Sequence, residues 1–125
     1  MLLLDSGAGC TVGSVCLVLC PWLSGIYGFD PSLVLFIGAV NVIYGLSSGA
    51  LLLLTTQRQD IPVAPLRFLA LANASWVIPC GVLLTMTWSE ATWLGVLHII
   101  LEATFVSWLA LIELRIAGSL QFRER

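Results

Sequence analysis

Apolar residues run through this chain in long blocks instead of alternating, and the blocks are separated by short clusters of Pro, Gly, Asp and Arg. Four stretches, roughly 3–23, 31–54, 66–88 and 92–115, are apolar almost throughout. Each reaches the about 20 residues that a helix rising about 1.5 Å per residue needs to cross hydrocarbon. The pattern predicts an all-α membrane protein, a four-transmembrane-helix antiparallel bundle that occupies residues 1–125 as one domain. The first span is the least regular, because Asp5 and the glycines at 7, 9 and 13 interrupt it.

The boundaries carry helix chemistry. Asp30-Pro31 offers a capping oxygen followed by a proline whose missing N–H would have no helical partner. Pro62 and Pro65 stop the second span in TTQRQDIPVAP, and Ser89 is placed to cap the fourth. The connection before that cap is too short to separate the third and fourth spans, so these are expected as antiparallel neighbours. Pro79 removes a hydrogen bond inside the third span and predicts a kink. The end SLQFRER reads as a short polar overhang.

Composition removes the soluble alternative. Of 125 residues 59% are hydrophobic and 10% charged, against about 25% charged in an average soluble domain, and the mean hydropathy is +1.03. The bilayer is therefore the expected partner and solvent. The net charge is −2, and the basic residues are five arginines with no lysine, so no basic stripe exists for nucleic acid. Arg58 and Arg67 flank one loop, and Arg115, Arg123 and Arg125 follow the fourth span on the same side. That bias predicts a multi-pass protein with both termini in the cytoplasm, and the arginine-only basic set is compatible with a bacterial inner (plasma) membrane protein. Trp22, Tyr27, Trp88 and Trp93 lie at the opposite span ends, as an aromatic belt would. The opening MLLLDSGAGC has no positive segment ahead of its apolar run, so no cleaved leader is expected.

Polar residues inside the spans are costly unless paired, and the candidates are Asn41, Tyr44, Asn73, His98 and Glu102. Helical rise puts Asn41 and Glu102 about 15 Å from the outer face and Asn73 about 12 Å from the inner face. Residues four apart share a face, which aligns His98, Glu102, Phe105, Leu109 and Glu113. The same spacing groups Asn41, Tyr44, Gly45 and Ser48, and also Asn73, Trp76, Val77 and Cys80. The expectation is one interior ligand- or proton-binding site made by Glu102, His98, Asn41, Asn73, Tyr44 and Trp76. Glu113 and Arg115 are expected as anchors at the inner interface. Gly9/Gly13 and Gly45/Gly49 allow close helix approach.

No cofactor and no metal site is expected. One histidine cannot supply bis-histidine haem ligation within a chain, and His98 with Glu102 gives two ligands where three or four are usual. The cysteines (10, 16, 20, 80) form no CxxC pattern, so they read as buried thiols; Cys16 and Cys80 fall at similar depth and could pair only if they faced each other. No nucleophile stands beside a base, no phosphate loop is present, and no paired carboxylates are evident, so the chain reads as a non-enzyme without catalytic residues.

The runs GAVNVIYG, LANASWVIPC and LGVLHIILEATFVSWLALIELR, between Phe36 and Arg115, resemble small uncharacterised bacterial four-helix membrane proteins whose layout is DoxX-like. That resemblance implies the same four-helix fold. The matching positions are Asn41, Tyr44, Asn73, Trp76, His98 and Glu102. The chain looks unlike small multidrug resistance exporters, which place their essential glutamate in the first helix, and lacks the paired cysteines of disulfide-generating quinone reductases. Two functions follow as expectations. One is association, as a homo-oligomer or as an accessory subunit of a larger membrane complex with a structural polar cluster. The other is a small proton-linked transporter or lipophilic-ligand-binding protein using Glu102 and His98.

Overall fold

The protein, seen in a computed structural model, is described for residues 1–58 and 63–123. These residues form five helices: α1 (Leu2–Val18), α2 (Cys20–Tyr27), α3 (Pro31–Arg58), α4 (Val63–Thr87) and α5 (Trp93–Arg123). Three of them are long and apolar enough to cross a membrane, over Pro31–Gln57, Val63–Thr87 and Trp93–Leu120. The single first span expected at 3–23 is instead two helices that meet at 92°, and only together do they pass the same test. The physical reason is Pro21. It has no N–H for the carbonyl of Leu17 and its ring crowds that turn, so α1 ends at Val18 and Pro21 falls in the first turn of α2.

Other ends differ from expectation in instructive ways. Asp30 caps α3 as predicted: its Oδ1 accepts the Ser32 backbone N–H at 2.8 Å and the Ser32 hydroxyl. Those two bonds hold the exposed Asp30 carboxyl below the usual carboxylate range. Thr92, not Ser89, caps α5, because its Oγ1 accepts the Gly95 N–H at 3.3 Å. Pro65 does not end a helix but sits in the first turn of α4, where its missing N–H costs nothing; Pro62 lies outside the described residues. α4 continues through Pro79. The expected overhang after residue 115 is helical as far as Arg123, and Arg125 lies outside the described residues.

The helices pack as two antiparallel pairs, α1 along α3 and α4 along α5, and the pairs touch each other much less. Glycine explains the first pair. A Cβ on Gly9 would stand 2.8 Å from the Asn41 carbonyl oxygen, and one on Gly45 would stand 2.5 Å from the Cys10 backbone nitrogen. Both lie far inside van der Waals contact, so the small residues serve packing within the subunit. The antiparallel neighbours expected from the short 88–92 connection are α4 and α5.

α2 closes one end across both pairs. Thr92 donates its N–H to the Tyr27 carbonyl (2.8 Å) and its hydroxyl to the Ile26 carbonyl (2.6 Å). Gly28 makes the turn possible with φ 69°, a left-handed conformation that side chains disfavour. Beneath α2 an apolar cluster includes Cys16, Cys20, Phe29, Ile37, Trp76, Cys80 and Ile99. A second cluster, Leu2, Leu51, Leu66, Leu69 and Ala117, knits the other end. Trp22, Trp88 and Trp93 are exposed as a belt requires, whereas Tyr27 turns inward. All four cysteines are free thiols.

Candidate functional site

Between the two apolar clusters the helix pairs part, leaving a cavity of about 360 Å³ bounded by all four long helices. All six predicted site residues line it: Asn41, Tyr44, Asn73, Trp76, His98 and Glu102. Val12 on α1 and Leu101 on α5, 36% and 59% exposed, also contribute to its wall. The cavity therefore reaches the apolar outer surface between α1 and α5, each of which packs chiefly on its own partner.

Glu102 is the focus of the half nearer α2. Its Oε1 accepts the Asn41 side-chain amide at 2.7 Å and the Trp76 indole N–H at 2.9 Å. Donors from α3 and α4 thus converge on one oxygen from α5. Asn41 is held in place by a second bond, to the Ile37 carbonyl one turn earlier (3.1 Å). Trp76 is fixed by tilted rings on either side, Phe36 at 5.9 Å and Tyr44 at 6.3 Å between centroids.

The other oxygen of Glu102 is differently placed. Oε2 faces His98 Nε2 at 3.5 Å, beyond the distance of a good hydrogen bond. His98 Nε2 is buried and has no hydrogen-bond partner. The imidazole is held from above by Tyr27, stacked at 4.9 Å between centroids. The site thus carries one carboxylate oxygen saturated by protein donors, and one oxygen with a neighbouring imidazole nitrogen that protein hydrogen bonds leave unused. Tyr44 is a wall and not a donor into the site, because its hydroxyl already donates to the Ala72 carbonyl at 3.0 Å.

Asn73 lines the same cavity as Glu102, but its side chain bonds a different acid. Its amide donates to Glu113 Oε2 at 3.1 Å. Ser48 donates to Asp5 Oδ2. These four residues form a second polar cluster, all of it buried. Glu113 is no interfacial anchor, since it is 0% exposed; Arg115 beside it is exposed.

The signals for the second cluster were present. Glu113 follows Glu102 by three turns on one face, and Asp5 precedes Gly9 and Gly13 at four-residue spacing on the buried face of α1. Sequence position alone hid them, because both lie near the ends of the expected spans, where a carboxyl is normally solvated. Among the described residues no group of three or more His, Cys, Asp or Glu side chains is placed to hold a metal. No protein-family model, curated protein or solved structure matches the chain.

Proposed function

We propose that the chain is a multi-pass protein of a bacterial inner membrane, with four spans and both termini cytoplasmic, that binds a small lipophilic molecule with a cationic or hydrogen-bonding head. The four-span reading gains support from α1, which runs antiparallel along α3 from Ser6 beside Gly49 to Cys16 beside Gly38 and so shares its depth. α2 then lies across the outer end with Trp22, in register with a headgroup layer.

One observation carries the binding function: Glu102 Oε2 and His98 Nε2 stand together, without protein hydrogen bonds, in the wall of a cavity that reaches the apolar surface. A carboxyl in a membrane span with one oxygen left without a protein donor among the described residues is costly in hydrocarbon, and a cationic or donating head would complete it. The volume falls in the range of small-molecule sites, which are mostly apolar with a few placed polar groups. Entry from the bilayer spares an amphiphile a passage through water.

The test is binding of a lipophilic cation, tetraphenylphosphonium, to the protein in liposomes, compared between wild type and Glu102→Gln. Saturable binding in the wild type and at least a tenfold loss in a well-folded Glu102→Gln protein are expected. Equal binding in both would defeat the reading.

A second reading, association as a homo-oligomer or accessory subunit, is favoured by a groove of about 370 Å³ on the opposite side, lined by Ile43, Ser47, Leu51, Pro65 and Phe68. Ile43 and Phe68 in its wall are apolar and exposed, which suits a helix of another subunit as well as lipid. An obligate oligomer in native-lipid discs, with Glu102→Gln neutral for ligand and stability alike, would favour that reading.

A further inference from the structure

Asp5 and Glu113 are unused by the binding reading, yet they are the most deeply buried acidic groups among the described residues, 4% and 0% exposed. α5 brings Glu113 to the Asn73 amide, and α1 brings Asp5 to the Ser48 hydroxyl. The charged or titratable groups that face Glu113 are Asp5 and the α-amino group of Met1. Ser48 faces the cluster from α3, and α4 contributes Asn73, with Arg67 six residues earlier on the same helix. A carboxyl sealed in a low-dielectric interior with a single hydrogen-bond donor is more stable holding a proton than ionised.

Donor count says where. Asp5 receives one donor, the Ser48 hydroxyl, and has no buried oxygen left without a partner. Glu113 receives one, at Oε2, and its Oε1 is buried without any partner. We propose that Glu113 Oε1 is a proton-binding site coupled to the cavity, which releases its proton when a cation enters. Asn73 makes the link, because it lines the cavity wall while its amide is bonded to Glu113. Charge balances: one cation arrives in the cavity, one proton leaves Glu113, and the O–H bond that breaks returns its electron pair to the carboxylate. By linkage the effect is reciprocal, so protonation expels the cation. A metal ion fits poorly, because the Asn73 amide presents an N–H donor to Glu113 and not an oxygen ligand. The coupling rests on the binding reading; the proton site does not.

Two measurements separate them. The first is infrared titration of the Glu102→Gln protein in lipid from about pH 4 to about pH 10. One protonated-carboxyl band should titrate in that window and be absent when Glu113→Gln is added. Should that double variant not fold, glutamate-specific ¹³C labelling of the Glu102→Gln protein identifies the band by its isotope shift. No titrating glutamate band, or a band that shifts with sodium at fixed pH, would overturn the proton site. The second is proton release, read by a pH dye in weakly buffered protein, when tetraphenylphosphonium is added to wild type. About one proton per bound cation is expected, and none in Glu113→Gln although the cation still binds. Binding without release in the wild type would overturn the coupling. Absence of binding would defeat the cavity reading alone, and the infrared result would still decide the proton site.

Discussion

Glu102 and Glu113 lie three turns apart on the same face of one helix, and their surroundings differ in almost every respect. Glu102 stands in a cavity wall, with donors from two other helices on one oxygen and its second oxygen turned to His98. Glu113 is sealed from the surface, meets one amide and a second acid, and has one oxygen with no partner at all. The difference traces to which helix lies opposite. Beside Glu102 the pairs have parted, and among the described residues no α1 side chain hydrogen-bonds the carboxyl. Beside Glu113, α1 has been drawn against α3 by Gly9 and Gly45 and delivers Asp5 to the cluster. Helix spacing, and not the local sequence of α5, makes one carboxyl available to a ligand and hides the other.

The largest effect should come from destroying that spacing. A leucine at Gly45 places a Cβ 2.5 Å from the Cys10 nitrogen and 2.8 Å from its Sγ, and backbone cannot yield as a flexible side chain can. Gly45→Leu is expected to cost on the order of 3 kcal/mol, read as a lower thermal midpoint in lipid. It should disturb Asp5 and Ser48 while sparing the Asn41–Glu102–Trp76 bonds, which involve no α1 residue. An unchanged midpoint would mean that the α1–α3 contact is not close.

The next effects divide the two carboxyls by function. Glu102→Gln should weaken binding of a lipophilic cation at least tenfold, or about 1.4 kcal/mol. Glu113→Gln, a neutral stand-in for the protonated acid, should hold binding near its weaker low-pH level at every pH and so flatten its pH dependence. The sign follows from proton release: in wild type affinity rises as pH rises, because a site already deprotonated has no proton to give up. Affinity that falls with pH would contradict the assignment. Trp76→Phe keeps the ring but removes one of the two donors to Glu102 Oε1, and should cost about 1 kcal/mol, roughly a fivefold loss in cation binding by titration.

Much of this was legible in the chain. The long apolar blocks gave the helices, Asp30-Pro31 the start of α3, and four-residue spacing the faces that line the cavity. What could not be read was partner choice. Asn73 has the same facing whether it meets Glu102 or Glu113, and only the lateral offset between α4 and α5 decides which. The bend at Leu19 was also missed, because apolar composition continues through Pro21 while backbone hydrogen bonding does not. Tyr27 looked like a belt residue for the same reason: its position at a span end was legible, the 92° turn that swings it over His98 was not.

Tyr27 supplies the smallest and most local contrast. The Glu102 half of the bundle has a cap, a ring stacked 4.9 Å from the imidazole and tied down through the Tyr27 carbonyl to Thr92; Glu113 has no such cover and relies on packing. Removing the ring should therefore act on His98 alone. Tyr27→Ala is expected to lose about 0.5–1.5 kcal/mol of stacking and to expose an imidazole edge, without shifting the Glu113 infrared band. His98 is the chain's single histidine, so its modification by diethyl pyrocarbonate reports one site. The rate should rise several-fold in Tyr27→Ala and stay near wild type in Tyr27→Phe, which keeps the ring. Equal rates in all three proteins would show that His98 is shielded by the helices themselves, and that α2 closes the end of the bundle without guarding the cavity.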